Sequence, residues 1–128
     1  MDQNMRIGII MGGFSAERHI SVESGRNVYE KLASSGLYTP IPIFLTGTPQ
    51  EHALFILPIH ILLKDSADDI HEKLKNLHTS SHLFDNYMGT PALASIIEKY
   101  VGSFITQPIP VSYQELTHLV DSVFVALH

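Results

Sequence analysis

Residues 6–25, RIGIIMGGFSAERHISVESG, constrain the fold more than any other part of the chain. The run 7–11 is short, continuously apolar and rich in β-branched residues, the pattern of a strand buried on both faces. It breaks at Gly12 and Gly13, passes through Ser15, Ala16, Glu17 and Arg18, and then takes on a helical pattern. A strand that turns sharply into a helix gathers backbone N–H groups and the positive end of the helix dipole at one point. α/β proteins hold small charged ligands there. Glu17 and Arg18, one of each sign, stand in or beside that turn.

The helix is expected over residues 17–34, with Ile20, Val28, Leu32 and Ala33 on its apolar side and Gly36 as its stop. Gly25 inside it costs about 1 kcal/mol relative to Ala unless close backbone approach requires it. Residues 38–45 read as a second strand, parts of which Pro40 and Pro42 would confine to an edge or an irregular start. Strand, helix and strand in this order make a βαβ unit with parallel strands and a right-handed crossover.

Beyond the turn cluster at residues 46–49, residues 54–63 read as strand, although Pro58 argues against a central place. Ser66 is expected to cap a helix over 67–77 with Asp68 and Asp69 in its first turn. Residues 78–90 read as loop, Pro91 opens a short helix to about 100, and 104–106 reads as a short strand. Ser112 is placed to cap a helix over 113–119, leading into SVFVAL at 122–127, read as another buried parallel strand. An ending on an apolar strand leaves two readings: a sheet edge, or one piece of a longer polypeptide. The second is preferred.

At 128 residues the chain is expected to be one domain, and its 45% apolar and 16% charged content suits a globular protein. The net charge of −5, without a Lys/Arg cluster, removes the electrostatic basis for nucleic-acid binding. There is no cysteine, so disulfides and thiolate metal sites are excluded. The most apolar window, residues 53–63, is interrupted by Pro58 and His60 and falls short of the roughly 20 residues that span a bilayer. A cytoplasmic protein with no membrane partner is expected.

The stretch GGFSAERHIS, followed by Ser24 and Gly25, resembles the N-terminal signature of D-alanine–D-alanine ligases and their ATP-grasp relatives. That signature reads Gly-Gly-x-Ser-x-Glu-Arg/His-Glu-Val-Ser, with Ser-Gly shortly after. The ending VFVALH is similar to the family's next landmark, a strand closing on Ala-Leu-His. The resemblance covers residues 5–45 and 112–128. It implies an α/β fold: a Rossmann-like pre-ATP-grasp domain with a mostly parallel sheet flanked by helices. Residues 47–110 form an enlarged central section that the basic pattern lacks, read as an insertion. The remaining ligase domains would be this domain's partners, and the isolated piece would be inactive.

The resemblance further implies joining of two D-alanines for peptidoglycan precursors. In such ligases one carboxylate is phosphorylated by ATP and then attacked by a second amine. ATP and Mg²⁺ would be bound by domains outside this chain, with no metal site within it. Glu17 matches the family glutamate that holds the first substrate's ammonium; the plain alternative is a first-turn residue complementing the helix dipole. His128 matches a histidine near that substrate's carboxylate. Gly12, Gly13, Ser15 and Ser21 complete the expected substrate-binding set, with simple turn-building as the alternative role. Ser21 and Ser24 follow Glu17 on one helix face and, being small, also permit close packing.

His19 stands where the family has an acidic residue, which leaves room for a paralogue joining another carboxylate and amine. A non-catalytic module binding a small ligand or partner is the reading from a different class. Self-association into a homodimer is expected of exposed strand edges. The turn does not follow Gly-x-Gly-x-x-Gly, and no P-loop is present. His71, His78 and His82 would share a helix face, but Thr79, Ser80 and Ser81 disfavour that helix, so they read as surface histidines.

Overall fold

The computed structural model describes residues 4–50, 52–79 and 108–126. Strand β1, Met5–Gly12, is followed by helix α1, Arg18–Ser35, and strand β2, Tyr38–Gly47. Strand β3, His52–Ile56, precedes two helices, α2 at Ile59–Lys64 and α3 at Ala67–Thr79. Strand β4, Ile109–Val111, helix α4, Tyr113–Leu119, and strand β5, Ser122–Val125, complete the domain.

The strands form one sheet in the order β4-β3-β2-β1-β5. β1 pairs in parallel with β2 and with β5, whereas β3 is antiparallel to both β2 and β4. Every strand but β3 therefore runs in the same direction, and the sheet is mostly parallel. Side chains alternate between two apolar layers. Ile10, Ile43, Leu54 and Ile109 pack with Leu116 and Leu119 of α4, while Ile9, Met11, Phe44 and Phe55 pack with Val22, Leu62, Ile70 and Leu74 of the other helices. Burial on both faces explains why β1 and β2 read as unbroken apolar runs.

The capping readings have direct counterparts. Ser66 Oγ accepts from the Asp69 N–H at 3.1 Å. Ser112 and Glu115 form a reciprocal capping box at the start of α4. Gly36 ends α1 in a left-handed conformation at φ 72°. Gly25 is buried because α1 lies directly on β1: a Cβ there would stand 2.8 Å from Met11 Sδ.

Three expectations are corrected. β2 is central, despite its prolines. The Pro42 carbonyl accepts from the Leu57 N–H at 2.9 Å, so the missing N–H groups of Pro42 and Pro40 point to the β3 side, where the ladder starts only at Ile43. Residues 54–63 are not one strand; β3 ends at Ile56 and Pro58 caps α2, as a helix tolerates proline only at its start. β5 is parallel but not buried. It lies at the sheet edge, with Val123, Phe124 and Val125 exposed by 43%, 45% and 56%. The loop, helix and strand expected over 80–106 lie outside the described residues, as do Leu127 and His128; His78 and Thr79 belong to α3.

No helix among the described residues is long and apolar enough to cross a membrane.

Candidate functional site

The turn after β1 is built from internal hydrogen bonds. Gly12 and Gly13 both take positive φ, 93° and 94°. The Gly12 N–H donates to Ser21 Oγ at 2.9 Å, and the Gly13 N–H donates to the Leu45 carbonyl at 3.0 Å. A Cβ at Gly12 would lie 2.8 Å from the Phe44 ring and 2.9 Å from the Leu45 oxygen, so a side chain is barred by space as well as by φ. Ser15 continues the pattern: its Oγ accepts from the Glu17 N–H at 3.1 Å and its carbonyl from the Arg18 N–H at 3.2 Å.

Both glycine N–H donors are therefore engaged within the protein, and Ser21 is fully buried. What the turn presents outward is a carboxylate. Glu17 occupies the N-cap position of α1 and is exposed. Among the described residues its side chain neither caps the helix nor joins an ion pair. A carboxylate held on a rigid turn with unused acceptor positions suits a cation or ammonium better than an anion.

The residues flanking Glu17 are tied to distant parts of the chain. Phe14 meets His52 edge-on at 6.2 Å between centroids, and His52 meets Tyr113 at 5.6 Å. On the other side, Arg18 Nη1 lies 3.4 Å from Asp68 Oδ1 at the start of α3. One turn further along α3, His71 Nδ1 is 3.1 Å from the hydroxyl of buried Thr46 at the end of β2. Burial lowers the His71 pKa, and the Arg18 charge adds to that effect. His71 is thus a partly buried, hydrogen-bonded residue, which corrects its reading as a surface histidine. Asp68 was legible as a helix-dipole residue; its pairing with Arg18 was not, because the partners lie 50 positions apart.

Gly12, Gly13, Ser15, Glu17 and Ser21 are brought together at the C-terminal edge of β1. β5 runs beside that strand, and the Ala126 N–H donates to the Ile10 carbonyl at 2.8 Å. β2 lies on one side of β1 and β5 on the other, so the strand order reverses between β1 and β5, the kind of switch point where α/β sheets open a crevice. His128 follows Ala126 by two positions and lies outside the described residues. Among the described residues no group of three His, Asp or Glu side chains converges to hold a metal ion.

A family profile described as "D-ala D-ala ligase N-terminus" matches residues 6–128. The chain is similar to the D-alanine–D-alanine ligase of Desulforudis audaxviator strain MP104C, 55% identical over 38 residues, 30% of this chain and 12% of that protein. It is similar also to the D-alanine–D-alanine ligase of Clostridium perfringens strain SM101, 49% identical over 41 residues, 32% of this chain and 13% of the relative. The chain thus covers only about an eighth of the length of these relatives, as aligned. No solved structure matches it. With the profile running from the first residues of β1 to the end of the chain, the protein belongs to the family of D-alanine–D-alanine ligase N-terminal domains.

Proposed function

We propose that this domain holds the first amino-acid substrate of an ATP-dependent ligase that joins two D-alanines for peptidoglycan precursors in the cytoplasm. The observation that supports the reading most is the Glu17 carboxylate: exposed, without a partner among the described residues, and fixed on a turn at the C-terminal edge of the sheet. Glu17 would bind the substrate ammonium, and His128 the carboxylate end. Gly12, Gly13, Ser15 and Ser21 would shape the pocket by holding the turn. Bound ATP, with Mg²⁺, would activate that carboxylate for attack by the second amine. Both groups would be held by domains outside this chain. The isolated chain would therefore bind without catalysing. Its exposed β5 edge, carrying Val123, Phe124 and Val125, would favour self-association of the isolated domain.

The test is a steady-state assay of the complete ligase with ATP, Mg²⁺ and D-alanine, following phosphate release. Glu17→Gln removes one charge-assisted contact, about 1.5–3 kcal/mol, and should raise KM for D-alanine by about 10- to 100-fold. Unchanged kinetics would remove Glu17 from the site. Failure of the complete coding sequence to complement a bacterium depleted of this ligase activity would remove the substrate assignment.

A further inference from the structure

The segment between the glycine pair and α1 is held locally. Gly13 is anchored to β2 through the Leu45 carbonyl. Beyond it, the hydrogen bonds of residues 14–17 run only among themselves and to Arg18, Ile20 and Ser21, among the described residues. The Phe14 ring reaches further. It meets His52 edge-on at 6.2 Å and 62°, and His52 meets Tyr113 in the same manner at 5.6 Å and 65°. Both separations lie in the range where aromatic pairs attract. His52 opens β3 and Tyr113 opens α4. Leu54 faces Val111 in the antiparallel ladder, so His52 and Tyr113, two places further along, fall opposite each other just past its end. His52 also pairs with Gly47, where β2 ends, and its Nδ1 faces the Pro49 carbonyl at 3.4 Å. Phe14 and Tyr113 are 39% and 55% exposed, so burial in the core does not account for the arrangement.

We propose that Phe14, His52 and Tyr113 form a row of rings that positions Glu17, by holding the segment that carries it against β3 and α4. The proposal rests on Glu17 holding the substrate ammonium. The route from the rings to Glu17 is short. Phe14 is joined by its peptide bond to Ser15, whose Oγ accepts from the Glu17 N–H at 3.1 Å and whose carbonyl accepts from the Arg18 N–H at 3.2 Å. Displacing Phe14 therefore displaces the acceptor that fixes the Glu17 backbone. The three are positioning residues and need not touch substrate. α1 is held by other means: Val22 packs in the apolar layer with Leu62, Ile70 and Leu74, and Arg18 meets Asp68 of α3. Loss of the rings thus loosens the turn ahead of the helix and leaves the helix in place. Its mark is weaker substrate binding without loss of the fold.

The experiment measures KM for D-alanine and kcat in the complete ligase, for wild type, H52A, H52F, F14L, E17Q and the double variant E17Q/H52A. H52A should raise KM about two- to tenfold, the scale of the one ring pair that reaches the turn, with kcat within about twofold of wild type. F14L removes the other ring of that pair and should match it. H52F keeps an aromatic ring at the position and should return KM to within about twofold of wild type. In the E17Q background H52A should add nothing, because the contact it positions is already gone. If E17Q leaves KM unchanged, the Glu17 reading fails and the role of the rings with it. If E17Q raises KM but H52A and F14L do not, the rings are overturned and the Glu17 reading stands. An H52A effect that persists in full beside E17Q, or that H52F fails to reverse, overturns the rings in the same way. A second measurement needs no activity. In NMR spectra of the 128-residue chain, H52A should move the Ser15 and Glu17 amide signals more than that of Gly36 at the far end of α1, and stationary Ser15 and Glu17 signals would overturn the proposal.

Discussion

The glycine turn depends on a single buried hydroxyl, and Ser21→Ala isolates it. The hydroxyl accepts from the Gly12 N–H at 2.9 Å and is fully buried. Alanine leaves that N–H without a partner in a place water cannot reach, at a cost of about 1–3 kcal/mol. It also improves helix propensity by about 0.5 kcal/mol, since Ser21 lies inside α1. The net loss is about 1–2 kcal/mol. With an m-value of about 1.5–2 kcal/mol/M, the urea midpoint should fall by about 0.5–1 M. The thermal midpoint should fall by about 3–10 °C. Ser24→Ala is the control: three positions along the same helix, its hydroxyl makes no hydrogen bond among the described residues, so it should gain the propensity and lose nothing. The difference between the two variants is the contribution of the turn bond. Equal midpoints, within about 0.3 kcal/mol, would refute the claim that Ser21 sustains the turn.

Gly25→Ala should destabilise by about 1 kcal/mol despite better helix propensity, because the new Cβ meets Met11 Sδ and Cε at 2.8 Å and Met11 Cβ at 3.1 Å. A rise in the denaturation midpoint would show that Met11 can move aside. Arg26→Met should cost about 1–2 kcal/mol, since the guanidinium donates to the Leu62 carbonyl at 2.6 Å and to the Asp65 carbonyl at the end of α2. Faster hydrogen exchange confined to α2 and α3 is the expected signature. The lowered His71 pKa makes a pH prediction. Below about pH 6.5 the unfolded chain takes up this proton before the folded one does, so His71's contribution is full above that pH and is lost on acidification. Chemical denaturation at pH 7.5 and 5.5 should show a smaller decline in H71N than in wild type.

The βαβ unit was readable because its signals are local. A β-branched run, a glycine pair and an apolar helix face lie within one stretch, and Ser66 and Ser112 announce the helices that follow them. The remainder depends on partners that local pattern cannot name. Residues 54–63 are apolar but for Pro58 and His60, and strand and helix periods cannot be separated in so short a run; β3 and α2 share it. Pro40 and Pro42 looked like edge residues, yet what matters is which side their absent N–H faces, and that follows from where β3 begins to pair. Val123, Phe124 and Val125 have the composition of a buried strand, but the strand order leaves β5 at an edge. At the site, the GGFSAE segment carried the turn, while Thr46, Asp68 and His71 join it only through the tertiary fold.

The single reversed strand has an architectural consequence. β3 starts at His52 opposite Gly47, on the side of the glycine turn, and ends at Ile56, which faces Ile109 at the head of β4. The excursion from 57 to 108 therefore leaves and rejoins the sheet at two facing residues, with Ile56 about 13 Å along the ladder from His52. Closing a chain excursion grows costlier by only about 0.6 kcal/mol for each doubling of its length. Length added beyond α3 therefore costs little in closure, while the strand register, the packing of α2 and α3 and the turn that carries Glu17 keep their geometry. The chain leaves β3 at the end of the sheet away from the glycine turn, and α3 returns to that turn through the contact of Asp68 with Arg18.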